Sequence, residues 1–214
     1  MTVETQAVQT NFDRVAVEWD SNPARVALAR GIVEAICQAV PLSPDLEALD
    51  FGAGTGLLTL GLLPYVARIT AVDASGEMLK VLANKLQNLG IQNVTTRHCD
   101  IGKEPLPAAG YTLVVSSMVL HHLANVPRTL KQLRHCLCFG GWIALADLDA
   151  EDGSFHSDPT GIFHHGFDRN LICQWLKEAG FTEVKSQEAY RIARPQSDGT
   201  VREYSVFLIT GIAF

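Results

Sequence analysis

From Leu46 to Leu148 the chain alternates short apolar runs with amphipathic stretches, and no other feature constrains its fold as tightly. Leu46–Phe51, Arg68–Val72, Val94–His98, Tyr111–Ser116 and Trp142–Leu148 read as strands. Leu57–Tyr65, Glu77–Leu89 (closed by Gly90) and Pro127–Leu137 (running to Gly140-Gly141) read as helices. Such alternation implies right-handed crossovers and a parallel sheet with helices on both faces. Runs such as LEALDF, TLVVSS and WIALADL are nearly continuous apolar segments, as a sheet covered on both sides requires. They account for a mean hydropathy of +0.12. No run reaches the ~18 uninterrupted apolar residues of a membrane span.

The flanks differ from this middle. Phe12, Ala16 and Trp19, and then Val26, Ala29, Val33 and Ile36, fall at helical spacing, so two amphipathic helices split at Ser21-Asn22-Pro23 are expected. At the other end a helix over Arg169–Ala179 precedes two β-rich runs, Glu183–Arg191 and Arg202–Thr210. Their link, Ala193–Thr200, is too short for a parallel crossover, so these strands should be antiparallel. The expected fold is a Rossmann-like, doubly wound, seven-stranded and mostly parallel α/β sheet with a reversed last strand.

Charge and cysteine usage narrow the function classes. With 17 basic and 23 acidic residues the net charge is −6, which argues against a broad nucleic-acid surface. The start, MTVETQAVQTNFDR, has neither the basic flank nor the apolar stretch of a secretory signal, so a cytoplasmic location is expected. Cys37, Cys99, Cys136, Cys138 and Cys173 follow no metal or redox spacing and read as free thiols.

The first strand runs into Asp50-Phe51-Gly52-Ala53-Gly54-Thr55-Gly56. Glycines here permit a tight turn and close backbone approach to a ligand, and the helix N-terminus behind them favours an anionic group. The second strand ends at Asp73, placed to accept both hydroxyls of a ribose, and the third is followed by Asp100. These acids face the carboxyl edge of the sheet, where open α/β folds bind ligands. A plain βα turn with helix-capping acids is the competing structural reading.

In order and spacing, LDFGAGTG, AVDASGEML, RHCDI and FGGWIALAD resemble the motifs of class I S-adenosylmethionine-dependent methyltransferases of the small-molecule branch. The resemblance covers residues 45–214, leaving 1–44 as an N-terminal helical cap. It implies that Gly52, Gly54 and Gly56 surround the methionine part of S-adenosyl-L-methionine, with Asp50 near its amino group. It further implies Asp73 on the ribose, Met78 beside the adenine, and Asp100 with the backbone of Ile101 on the adenine edge. Ala74 and Ser116 complete the implied cofactor contacts, and S-adenosyl-L-homocysteine is the implied product. A nicotinamide-dependent Rossmann oxidoreductase is the main alternative, but its GxGxxG fingerprint is absent: the sequence has GxGxG at 52–56 followed by Leu57. A catalytically silent module that binds the same cofactor also stays open.

Proton-transfer candidates follow the fourth strand in Ser116-Ser117-Met118-Val119-Leu120-His121-His122. Histidine is poised near neutral pH, so His121 or His122 can serve as a general base, or else shape the loop. The stretch 149–168 has no clear periodicity and reads as an active-site lid. Its carboxylates and histidines show no compact metal-ligand pattern, so no metal is expected. Phe12, Trp19 and Tyr65 are candidate pocket walls. The expected partner is a small-molecule methyl acceptor rather than nucleic acid, with O-, N- and C-acceptors all open.

Overall fold

In the computed structural model, residues 12–100, 106, 110–195 and 199–214 are described. Residues 12–15 are helical and pass into a 3-10 turn, Ala16–Ser21, so the second half of the first expected helix is wound more tightly than its periodicity suggested. Asn22 then accepts the Ala24 N–H at 2.9 Å and Pro23 opens α1 (Pro23–Ala39), a cap that satisfies one of the free donors of the helix start.

The alternating middle comprises β1 (Glu47–Phe51), α2 (Leu57–Leu62, continued by a 3-10 turn to Tyr65), β2 (Arg68–Asp73), α3 (Gly76–Asn88), β3 (Val94–His98) and β4 (Tyr111–Ser117). A 3-10 turn, Leu120–His122, leads into α4 (Val126–Cys136) and β5 (Leu137–Leu148). The tail holds α5 (Arg169–Glu178), β6 (Phe181–Pro195) and β7 (Val201–Ala213).

One seven-stranded sheet has the order β3-β2-β1-β4-β5-β7-β6. Strands β1 to β5 are mutually parallel where they pair, and β7 lies antiparallel between β5 and β6, as the short link demanded. Strand order reverses between β1 and β4, the place where open α/β sheets form a ligand crevice at their carboxyl ends.

Successive residues of the central strands face opposite layers. Val114 packs with Leu130 and Leu133 of α4 and Ile172 and Leu176 of α5. Its neighbours Leu113 and Val115 pack with Ile32 and Ile36 of α1 and Leu58 and Leu62 of α2. This period of two, buried on both sides, explains the continuous apolar runs.

One boundary departs from expectation. Gly140-Gly141 lies inside β5, which begins at Leu137 rather than Trp142. Tyr111 pairs with Leu137, and the register shifts before Leu113 meets Trp142. A side chain at Gly141 would press 2.9 Å from Leu137 and 3.2 Å from the Tyr111 carbonyl, so the glycine lets an irregular strand continue.

Candidate functional site

The site grows from the β1 carboxyl end. Gly52, Gly54 and Gly56 all have positive φ (75°, 55° and 83°), and the Gly52 and Ala53 N–H groups donate to the Val72 carbonyl at 2.8 and 3.0 Å. A Cβ on Gly52 would stand 2.2 Å from Val119, so the turn is closed against the segment after β4. At Gly54 a Cβ would meet nothing within 4 Å; that side of the loop is open space.

Asp73 ties this loop to β2. Its two oxygens accept the Gly54 N–H at 2.7 Å and the Ser75 N–H at 2.8 Å. Burial nonetheless raises its pKa, outweighing those hydrogen bonds. Asp50 is buried more deeply and accepts the Thr59 hydroxyl at 2.5 Å. Burial pushes its pKa up to about 7 against the Thr59 hydrogen bond, with the nearby Asp73 charge adding to the rise. A cation beside Asp50 would reverse that balance.

A cavity of about 340 Å³ opens over this edge. Asp50, Gly52, Gly54, Asp73, Ala74, Met78, Asp100 and His122 all line it, so most of the sequence-derived set converges on one space. Three members lie off its walls. Gly56 caps α2, and a Cβ there would stand 2.3 Å from Leu82. Ser116 is buried and donates to the Phe51 carbonyl at 2.7 Å; its neighbour Ser117 lines the cavity instead. His121 is buried behind the wall. Ile101 lies outside the described residues.

The adjacent histidines have different surroundings. His121 pairs through Nδ1 with Asp147 Oδ1 at 2.6 Å, and its backbone N–H reaches Asp147 Oδ2 at 3.3 Å. Burial opposes ionisation of Asp147, but the His121 imidazole holds its carboxyl below the usual range. His122 reaches the Gly161 carbonyl through Nδ1 at 2.9 Å, a bond in which the ring must donate. Its Nε2 is thereby left as an acceptor. Burial, reinforced by His121, lowers the His122 pKa to about 3 and keeps the ring neutral.

Beyond the glycine loop the walls are apolar: Phe12, Trp19, Leu28, Met118, Val119 and Phe163. Met118 adopts φ 59°, unusual for a residue with a side chain, where the backbone leaves β4 for the histidines. Phe12 and Trp19 come from the N-terminal segment, as anticipated, whereas Tyr65 is 46% exposed and lines no part of the cavity. Two carboxylates fasten that segment. Asp13 accepts the Ser75 hydroxyl at 2.5 Å, while Asp20 accepts the Thr55 hydroxyl at 2.6 Å and pairs with Lys85. Arg25 lies over the Trp19 ring, 3.7 Å from its centroid, and completes this wall.

The 149–168 connection has no helix or regular strand, yet it is anchored. Asp149 bridges to Phe167, and Phe163 and His164 donate to the His121 carbonyl at 2.9 and 3.3 Å. Among the described residues no group of three His, Cys, Asp or Glu side chains is placed to hold a metal ion, and no helix is long and apolar enough to cross a membrane.

Residues 49–145 match a family model described as a methyltransferase domain. The malonyl-(acyl-carrier protein) O-methyltransferase of Serratia marcescens is 31% identical over 152 residues, 70% of this chain and 55% of that protein. A SAM dependent methyltransferase from Aquifex aeolicus superposes with a TM-score of 0.68 at 18% identity, covering 96% of this chain and 98% of that one.

Residues 49–145 of the chain are a methyltransferase domain.

A Haemonchus contortus phosphoethanolamine N-methyltransferase 2, in complex with phosphomonomethylethanolamine and S-adenosylhomocysteine, shares the fold of this methyltransferase domain with a TM-score of 0.68 at 14% identity, covering 84% of this chain and 52% of that one. The chain spans about half the length of the curated relatives it matches. Sequence reasoning missed Asp147 as a partner for His121. The available signal was a carboxylate inside the apolar run WIALADL, since a charge buried in a strand needs a partner.

Proposed function

We propose that the protein is an S-adenosylmethionine-dependent methyltransferase acting on a small-molecule acceptor, with residues 45–214 as the catalytic domain and 1–44 as its cap. The observation that carries this reading is the single cavity shared by the Gly52–Gly54 turn, Asp73, Met78, Asp100 and His122. The residues present suit the cofactor. Open space beside Gly54 accommodates a close-lying methionine moiety, and Asp50 offers a carboxylate to its ammonium group. Asp73, already oriented by two backbone N–H groups, has lone pairs for the ribose hydroxyls. Met78 supplies an apolar surface for adenine and Asp100 an acceptor for its amino edge.

When bound, the cofactor supplies a methyl group on a positively charged sulfur, already activated for in-line displacement. The protein's task is alignment and exclusion of water, and holding reactants as a near-attack pair can supply about 7–11 kcal/mol of the barrier. His122 presents Nε2 to the cavity and takes the acceptor's proton as the nucleophile is methylated. The apolar walls from the cap and Phe163 keep water from competing. A cavity of this size, closed by the cap, favours a small acceptor with an apolar body.

The test is calorimetric titration with S-adenosylhomocysteine, followed by transfer of a labelled methyl group to a panel of hydroxyl, carboxyl and amine acceptors. Saturable binding and acceptor-dependent label incorporation are expected. Binding of NAD in place of S-adenosylhomocysteine would move the protein to the oxidoreductase class, and binding without transfer to any acceptor would leave a silent module.

A further inference from the structure

We propose that Asp147 is a positioning residue that acts through His121 to fix His122 with its accepting nitrogen toward the cavity. The inference rests on the reading of His122 as the proton acceptor. It begins with the hydrogen bonds of a buried carboxylate. Asp147 Oδ1 accepts from His121 Nδ1 at 2.6 Å and from the Leu148 N–H at 2.7 Å, and Oδ2 accepts from the His121 N–H at 3.3 Å. Both the ring and the backbone of His121 are therefore held to the end of β5.

The other side of His121 carries the effect onward. Its carbonyl accepts the Phe163 and His164 N–H groups at 2.9 and 3.3 Å, drawing the 149–168 connection against the turn after β4. That places the Gly161 carbonyl 2.9 Å from His122 Nδ1 and sets Phe163 in the cavity wall. The rings of His121 and His122 also pack together with centroids 4.1 Å apart. A neutral imidazole has one N–H, and the Gly161 carbonyl requires it on Nδ1, leaving Nε2 free to accept. Asp147 touches no part of the cavity, so its influence on chemistry must pass through these bonds.

Asp147→Asn is a sharp probe because both carboxylate oxygens face donors. Whichever way the amide is turned, its NH₂ opposes either the His121 backbone N–H or the Leu148 N–H, and in the second case the His121 ring keeps its bond only by moving its proton to Nε2. Either way the hold of the β5 end on His121 is rearranged at nearly constant volume.

Long-range proton–nitrogen spectra of histidine-labelled protein at neutral pH read each ring's tautomer directly. The wild type is expected to show His122 as the Nδ1–H tautomer. In folded Asp147→Asn, His122 should become a mixture of tautomers while S-adenosylhomocysteine affinity stays within about twofold. Phe163→Pro, which removes the N–H reaching the His121 carbonyl, should produce the same mixture and serves if Asp147→Asn does not fold. His121→Asn can retain an N–H toward Asp147 and should leave His122 largely as in the wild type. The proposal is overturned by a wild-type His122 carrying its proton on Nε2. It is equally overturned by a pure Nδ1–H tautomer persisting in folded Asp147→Asn, or, if that variant does not fold, in Phe163→Pro. Failure of the wild type to bind S-adenosylhomocysteine would sink the cofactor reading and leave this test standing.

Discussion

His122 and Gly161 are joined by a hydrogen bond of 2.9 Å, from ring nitrogen to carbonyl, across a gap of 39 residues. The bond decides which face of a histidine a bound molecule meets. With the proton on Nδ1, Nε2 is the accepting nitrogen of a ring that lines the cavity, and burial keeps the whole ring neutral well below the usual histidine range.

His122→Ala is expected to lower turnover by less than the roughly 10²–10⁴-fold of a base tuned to neutral pH, since a ring held near pKa 3 is a weak proton acceptor, while leaving S-adenosylhomocysteine binding intact. The pH profile carries the sign. With a pKa lowered to about 3, the wild-type ring gains no proton as pH falls through ~6.5, so turnover should show no acid limb there. Initial rates across that range check it. A limb centred near the ordinary histidine value would mean a different base.

Asp73 should dominate cofactor affinity. Asp73→Ala removes two charge-assisted acceptors and frees the Gly54 and Ser75 N–H groups, so S-adenosylhomocysteine binding should weaken by about 10–100-fold in calorimetry. Asp73→Asn, which keeps the shape, should fall between. Equal affinity in wild type and both variants would remove Asp73 from the site.

Asp50 links ligand binding to pH. Its folded pKa, raised to about 7, lies above the ordinary carboxyl value, so the folded state binds more protons between those values and the group's contribution to stability falls as pH rises through that window. Asp50→Asn should accordingly gain thermal stability relative to wild type as pH climbs from about 4 to about 7, then hold that gain. A saturating cofactor ammonium should shrink the difference. Melting curves of both proteins, with and without S-adenosylhomocysteine, measure this directly.

The ties on the N-terminal segment should govern ligand exchange. Lys85 and Asp20 are partly exposed, with side-chain exposures of 25% and 29%, so their pairing is worth about 1 kcal/mol at most. Lys85→Met should speed release of S-adenosylhomocysteine by several-fold, roughly what that energy permits. Stopped-flow fluorescence of Trp19, which lines the cavity, reports the rate.

What could be read from the residues follows from periodicity. The sheet, its crossovers and its reversed strand were legible because apolar residues recur at two distinct periods and the link after β6 is short. Convergence of Asp50, Asp73 and Asp100 on one cavity followed from their common position at strand ends. The sequence is least legible where a single-residue step reverses direction. Ser116 and Ser117 face opposite sides of β4, and it is Ser117 that lines the cavity while Ser116 turns to the Phe51 carbonyl. His121 and His122 are likewise neighbours with opposite environments, a difference set by Asp147 and Gly161 far away in sequence. The ties of Asp13 and Asp20 were not legible, because nothing local marks Ser75, Thr55 or Lys85 as their partners.

Met118 shows where stability and use of this fold diverge. Its left-handed backbone costs of order 1–3 kcal/mol, and glycine at that position would relax it. Glycine would also strip the thioether from the cavity wall. Because Met118 also packs against the layer of α1 and α2, relief of strain and loss of packing oppose one another, and the cavity wall adds a third demand on the same side chain. A library of variants screened for both stability and transfer should find position 118 among the places where the two rankings disagree.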